Sequence, residues 1–331
     1  MKYRCAVLII TILSCLAVIM VIPMEDLKEA MHSCRVTKTF QAPPMKHGVK
    51  VVKEHKRSEI YERRKAILRK GCNRLNVKSD QHGQVLYLDK YKLLYCPVAK
   101  VAVTNWYKVW LVLSGIADST NNITANDTRA AKNLKAYRYL EKLTIKEQQK
   151  RLDGYLKFLF VRHPFERLLS VYRKGVEIPG EKSPMYEAIA DFLKKRDSKR
   201  REVKHVKFEE YVQYLVDKAS SKEVFSDKNL IPIHKLCSIC HVGYDIIGKL
   251  EDMKQDAHYI LQQAGVDGKV VFPANDEDAT KSSDTGSLRR YYSKVSPENI
   301  LKLYRIYQFD FKLLDYPFPD SYLRWSDIAG N

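Results

Sequence analysis

The sequence predicts an α/β fold, a parallel sheet flanked by helices, preceded by an N-terminal transmembrane helix and a stem. Three observations carry this. A β-rich run, a loop and an amphipathic helix follow one another at 84–115, and the same order returns at 155–172. Strand-then-helix repetition is the pattern of a parallel sheet. Ahead of both, Cys5–Ile22 is an uncharged run of eighteen residues, apolar except for Thr11 and Ser14. As a helix it is about 27 Å long, enough to span a bilayer core.

Met1–Arg4 is a short basic tail, which the positive-inside bias keeps cytoplasmic, with the long C-terminal part on the other side. The exit Val21-Ile22-Pro23-Met24-Glu25 lacks a small-x-small cleavage site, favouring a retained anchor over a cleaved signal peptide. Residues 23–67 read as a stem, with Pro43-Pro44 and little periodicity. Towards its end, Ser58 to Lys70 is strongly charged with Ile60, Ile67 and Leu68 as sparse apolar points; it reads as a solvated helix. The body is expected over 68–325.

Within the body, Val85–Leu88 and Leu93–Cys96 are short strands. Trp106, Val109, Trp110 and Leu113 recur at helical spacing up to Gly115, predicting a helix over 105–115. Asp118–Arg129 reads as an exposed polar loop. It carries two glycosylation sequons, at Asn122 and Asn126, as suits a lumenal body. Tyr155–Val161 is near-continuously apolar, as a buried parallel strand should be. Pro164 then opens a helix marked by Phe165, Leu168, Leu169 and Tyr172. Tyr244–Lys249 is a further strand, Asp252–Ala264 a helix, and Ser296-Pro297-Glu298 an N-cap with Pro at the first helical position. The helix after it carries the apolar stripe Ile300, Leu303, Tyr304, Tyr307 and Phe311, a core face.

Seven cysteines are present. Cys5 and Cys15 lie in the anchor; Cys34, Cys72, Cys96, Cys237 and Cys240 would meet an oxidising lumen, where disulfides form. Five is odd, so one thiol stays free or pairs between chains to give a homodimer, and Cys34 is the candidate. Cys237-Ser238-Ile239-Cys240 has no second ligand pair for zinc. A structural disulfide, within this pair or to Cys72 or Cys96, is expected instead.

Composition and charge set the partner class. With 331 residues, 45% hydrophobic content, 21 Tyr and 11 Phe, the chain can bury a large core, which excludes disordered and collagen-like classes. A net charge of +19 calls for an anionic partner; a lumenal body would meet no nucleic acid. The basic run Lys194–Lys204 is either a solvated surface or a capture site for a polyanionic glycan.

Two segments at predicted strand ends could carry chemistry. Ala99-Lys100-Val101-Ala102-Val103-Thr104-Asn105 offers helix-start N–H groups, a lysine and a hydroxyl, the donors a phosphate-type anion needs. It lacks the glycines and the GK[ST] ending of a Walker A loop. Arg162-His163-Pro164-Phe165-Glu166-Arg167-Leu168-Leu169-Ser170 places a guanidinium, suited to bidentate phosphate bonds, at a strand end. Ser170 follows about two helical turns on.

In this order and spacing the segments resemble the Golgi membrane-bound carbohydrate sulfotransferases that modify chondroitin, dermatan and terminal N-acetylgalactosamine or glucuronate. The resemblance runs from Leu68 to Trp325 and includes Lys100–Trp106, Lys157–Leu168, Leu236–Cys240 and Tyr244–Glu251. It implies a P-loop-like, sulfotransferase-like fold and a single-pass type II Golgi protein with its catalytic domain in the lumen. It implies 3′-phosphoadenosine 5′-phosphosulfate as donor, no metal, and a glycan acceptor. The donor's 5′-phosphosulfate loop would be Ala99 to Asn105, with Lys100 catalytic. Its 3′-phosphate segment would be Arg162 to Ser170, with Arg162 and Ser170 in direct contact. The chain departs from the family pattern at Ala99 (usually Pro), at Val103 (usually Cys) and at Asn229-Leu230 (usually His-Trp). His163 lies in the cofactor segment, and His234 and His241 flank the cysteine pair, so no histidine is assigned as base. Two alternatives are a lumenal glycan-binding protein with weakened turnover, motivated by those departures, and a nucleotide kinase-like enzyme, disfavoured by the missing Walker A residues.

Overall fold

The computed structural model describes residues 48–75, 77, 83–133, 136–177, 183–219, 227–273 and 281–329. The tail 1–4, the anchor 5–22, most of the stem and Cys5, Cys15 and Cys34 lie outside the described residues. Among the described residues no helix is long and apolar enough to cross a membrane. The chain divides into two units, 1–55 and 56–331, and the second holds the sheet and the core.

Helix α1 (Gly48–Leu75) leads to a hairpin of β1 (Leu86–Leu88) and β2 (Leu93–Cys96). Then come α2 (Val103–Leu113), α3 (Ala125–Asn133), α4 (Ile145–Gly154), β3 (Leu156–Val161) and α5 (Pro164–Gly175). Helices α6 (Pro184–Arg196) and α7 (Phe208–Asp217) and the single turns α8 (Ile233–Leu236) and α9 (Ile239–Val242) precede β4 (Ile246–Lys249). The chain closes with α10 (Met253–Gln263), α11 (Thr285–Tyr292), α12 (Pro297–Leu313) and α13 (Asp320–Ala329).

The sheet runs β1-β2-β3-β4. β2, β3 and β4 are parallel, as expected, but β1 pairs antiparallel with β2. Only the turn Asp89–Tyr91 and Lys92 join β1 to β2, and a parallel connection needs a dozen residues or more. Cys96 lies opposite Leu159 and Val161 opposite Lys249. All three parallel strands therefore release their loops at one edge. Gly248 sits opposite Phe160, where a Cβ would lie 2.5 Å from the Phe160 ring; the missing side chain lets Phe160 pack on Trp106, 5.2 Å away between centroids.

Two apolar clusters result. One gathers the sheet, α2 and α10 around Trp106, Trp110, Tyr95 and Phe158. The other gathers α5, α6, α7, α11 and α12 around Phe165, Tyr211, Tyr292 and Phe311. The chain passes from the first to the second between Val161 and Phe165.

The expectation for the polar stretch changes. Asp118–Arg129 is not a loop throughout: Thr120–Asn122 is a 3-10 turn and α3 begins at Ala125. Thr124 and Asp127 cap that helix reciprocally, Asp127 Oδ2 accepting from Thr124 N–H at 2.8 Å and Thr124 Oγ1 from Asp127 N–H at 3.2 Å. The same polar residues that suggest a loop are a helix start. Asn122 and Asn126 are nonetheless exposed. Of the disulfide alternatives, the structure takes those that reach Cys72 and Cys96: Cys72 bonds Cys240 and Cys96 bonds Cys237. Cys237, the C-cap of α8, and Ser238, in the left-handed region at φ 45°, separate α8 from α9, which carries Cys240.

The charged helix α1 crosses position 67, where the stem was expected to end, and is solvated on one side only. Tyr61, Arg64 and Leu68 are buried, three or four residues apart and so on one face. Asp256, 1% exposed, accepts from Tyr61 Oη at 2.6 Å, Arg64 Nη1 at 2.7 Å, Arg57 Nη1 at 3.1 Å and the Lys249 N–H at 2.8 Å. One carboxylate thus ties α1 to the end of β4. Asp256→Ala takes from the buried Arg64 the nearer of its two carboxylates, leaving the half-exposed Asp252 at 2.9 Å, and strips the Tyr61 hydroxyl of its acceptor; the expected cost is about 2–4 kcal/mol of stability. Denaturant unfolding of the variant checks this; a loss under about 1 kcal/mol would contradict it.

Candidate functional site

The loop after β2 carries its main chain in a form glycine usually supplies. Lys100 and Ala102 both have positive φ, 68° and 48°, a left-handed conformation that costs a non-glycine residue on the order of 1–2 kcal/mol. Ala102 is the N-cap of α2 and offers no side-chain cap. The first N–H groups of that helix, from Val103 onward, point out of its N-terminal end, and the helix dipole favours negative charge there. The Cys96–Cys237 disulfide fixes the start of the loop.

Arg162 leaves β3 beside it. Its guanidinium is 5% exposed, donating from Nη1 to the Lys100 carbonyl at 3.2 Å and from Nη2 to Ser283 Oγ at 2.9 Å. Ser283 Oγ donates in turn to Glu166, whose carboxylate lies 3.6 Å from Arg162 Nε. Nε itself is buried with no hydrogen-bond partner. Burial pulls the Arg162 guanidinium below its ordinary pKa, against the pull of Glu166 and Glu251. Burial also pushes the Glu166 carboxyl up.

These groups open onto a cleft of about 560 Å³, lined by Ala99, Lys100, Ala102, Val103, Thr104, Arg162 and Ser170. The expected residues thus come together at the carboxyl ends of β2 and β3, where open α/β sheets bind ligands. The same cleft is lined by Arg129, Lys174, Asn229, Leu250 and Lys281–Asp284, which the sequence did not single out as donor ligands. Lys174 follows Ser170 by one turn of α5, a spacing that could have found it. Nothing local marks Arg129 or Lys281–Asp284, which only the fold brings here. The lining holds the cations Lys100, Arg129, Arg162, Lys174 and Lys281, with Asp284 as its carboxylate. Asp284 is occupied as the N-cap of α11, accepting from the Ser287 N–H at 2.7 Å. The cleft therefore suits a small polyanion.

The remaining expected residues stand elsewhere. Val101 and Asn105 are buried beside the loop. Pro164 is the first residue of α5, and Phe165, Leu168 and Leu169 are core. Arg167 turns away from the cleft. Its guanidinium, 1% exposed, donates to the carbonyls of Ala99 at 3.2 Å, Ile231 at 3.0 Å and Lys228 at 3.3 Å. It pins the β2 loop to the segment bearing Asn229. His163 is enclosed by Tyr322, Phe311, Tyr316 and Phe165, and burial, with Lys249 and Arg162 nearby, pulls its pKa down to about 3. His234 is buried against Asp310, its Nδ1 2.7 Å from Oδ1. No histidine is among the lining residues.

Comparison with known proteins places this geometry. The model of the sulfotransferase family matches residues 83–317. Carbohydrate sulfotransferase 11 of Mus musculus is 35% identical over 244 residues, covering 71% of this chain and 67% of that protein. Carbohydrate sulfotransferase 10 of Danio rerio is 35% identical over 247 residues, with 71% and 67% covered. Carbohydrate sulfotransferase 9 of Homo sapiens is 31% identical over 291 residues, with 84% and 64% covered. No solved structure matches the chain.

The His163 environment makes stability pH-dependent. Its folded pKa, about 3, lies below the usual 6.5, so the unfolded chain binds the proton first. The stability from a neutral His163 is present above about pH 6.5 and is lost as pH falls towards about 3, by up to about 1.4 kcal/mol per unit. His163→Phe keeps a ring and removes the titration. Unfolding free energies between pH 7 and 5 should fall less steeply in the variant; equal slopes would refute the assignment.

Proposed function

We propose that this chain, which belongs to the sulfotransferase family, transfers a sulfuryl group from 3′-phosphoadenosine 5′-phosphosulfate to a hydroxyl of a glycan. The observation that carries the reading is the meeting of Lys100, Thr104, Arg162 and Ser170 in one cationic cleft at the strand ends. The acceptor in this reading is a chondroitin- or dermatan-type or N-acetylgalactosamine-containing chain. The donor supplies a sulfuryl group already activated by its link to phosphate. Arg162 and Ser170 hold the 3′-phosphate. The N–H groups at the start of α2 and Thr104 orient the phosphosulfate towards the incoming hydroxyl. Lys100 stabilises the negative charge that builds on the bridging oxygen, an electrostatic contribution that a water-poor cleft strengthens.

In the same reading the apolar run 5–22 anchors the protein in the Golgi membrane as a single-pass type II protein, with the body in the lumen. The two disulfides support an oxidising compartment.

One observation favours a second reading, a glycan-binding protein with weakened turnover. Asn229 lines the cleft with its amide donating to Asp227 Oδ1 at 2.7 Å, and an amide cannot take a proton from the acceptor. Donor binding without labelled product on any acceptor would select this reading.

The test uses donor carrying radioactive sulfate and a panel of desulfated chondroitin, dermatan and N-acetylgalactosamine-terminated acceptors. Lys100→Ala should lower kcat by about 10²–10³-fold with a smaller change in donor affinity. Arg162→Ala should weaken donor binding by about 10–100-fold, the loss of charge-assisted hydrogen bonds. Full transfer by both variants would sink the assigned site.

A further inference from the structure

We propose that the basic segment Lys194–Lys204 is a second glycan-binding surface, which grips the polyanionic chain of the acceptor at a distance from the cleft. The inference rests on the acceptor class proposed above. It starts from how the segment's charges divide. Arg196 and Arg200 serve the fold: Arg196 Nη1 pairs with Asp217 Oδ2 at 2.7 Å, and Arg200 pairs with Glu210. Lys194, Lys195, Lys199, Arg201 and Lys204 do not. All five are exposed, and among the described residues none of their side chains has an ion-pair or hydrogen-bond partner. Asp197 and Glu202 are the acids of the segment, and Asp197 is engaged in its own turn, accepting from the Lys199 N–H at 3.0 Å.

The segment is held as a strap. Tyr186 Oη donates to the Val203 carbonyl at 2.6 Å and Tyr172 Oη to the Val206 carbonyl at 2.8 Å. Val203 and Val206 are themselves buried. Same-signed charges fixed on a pinned strap repel one another in the free protein, and a polyanion relieves that repulsion. The cations run from the last turn of α6 (Lys194, Lys195) to Lys204 over eleven residues, more chain than a small anion needs and enough to meet a linear chain of charges.

The strap's apolar residues point inward, so it has no face to embed in a lipid surface. Its exposed side chains include no Phe, Tyr or Trp on which the bases of a single-stranded nucleic acid could stack. Its place also suits an acceptor held at two points. Ser170 and Lys174 of α5 line the cleft. Tyr172, which holds the strap, lies two residues from each, about 200° round the helix. Val206, two residues beyond Lys204, is therefore held on the side of α5 turned away from Ser170 and Lys174. A polymer has the length to reach both, and a short oligosaccharide fills the cleft alone.

The test compares the full chain with a variant carrying K194E, K195E, K199E, R201E and K204E, all on the surface. Binding to immobilised chondroitin chains reads the strap. The wild type should bind with an affinity that falls with salt, the variant at least about tenfold more weakly, and neither should bind dextran, which is uncharged. Equal affinities, or no binding by the wild type, overturn the inference. Labelled transfer to a chondroitin tetrasaccharide reads the proposed function separately. Both proteins should label it at the same rate, while the KM for the polymer rises in the variant alone. Label on no acceptor, with the binding difference intact, rejects the proposed function and leaves the strap standing. Label on the tetrasaccharide with equal polymer affinities does the reverse.

Discussion

The parallel pairing of β2, β3 and β4 is the constraint on which the rest of the molecule depends. Parallel strands point their carboxyl ends the same way, so Cys96, Val161 and Lys249 finish close together and their loops must share one edge. Residues distant in sequence meet there without any local signal asking them to. The Gly248–Phe160 contact and the tilted packing of Trp106 on Phe158 and Phe160 lock the sheet to α2. That contact fixes the direction in which the uncapped N-terminus of α2 points.

The electrostatics of the edge follow from how its buried cations are satisfied. Among the described residues the hydrogen-bond acceptors of Arg167 are three backbone carbonyls, with Asp310 and Asp227 near enough to favour its charge. Arg162 gives two bonds to a carbonyl and a serine and keeps Glu166 at 3.6 Å. Burying charges this way is costly, and both guanidinium groups are pulled below their ordinary pKa by burial. The cleft lining itself holds five cations and one carboxylate, which suits a small polyanion. The left-handed Lys100 and Ala102 belong to the same pattern: local conformational cost held in place by the disulfide at Cys96 and by the Arg167 clamp.

Much of the fold was legible in the sequence because its elements announce themselves locally. The strand-loop-helix units at 84–115 and 155–172, the Ser296 cap and the helix from Pro164 all stand where periodicity and cap residues put them. Polar caps misled at one place: Thr124 and Asp127 look like loop residues and start a helix. The buried face of α1 also escaped, since Arg64 and Tyr61 are polar and become core only through Asp256, some 190 residues away. In the site, Lys100, Thr104, Arg162 and Ser170 could be found from motif and spacing. Arg129 and Lys281–Asp284 could not, because nothing nearby in sequence marks them as anion ligands.

By itself the sequence determined the strands, the helices α2, α5, α10 and α12, the anion-suited loops, the family resemblance and the set of cysteines that could bridge. Those follow from short-range periodicity, capping and residue chemistry. Only the tertiary structure decided that β1 runs antiparallel, that Cys72 and Cys96 take separate partners, and that Arg167 clamps backbone while Arg162 faces the cleft. It alone showed which cations of the Lys194–Lys204 segment are neutralised and which are left on the surface. These are matters of which distant groups arrive at the same place. Strand direction and packing decide that, and a residue's neighbours in the chain do not encode it.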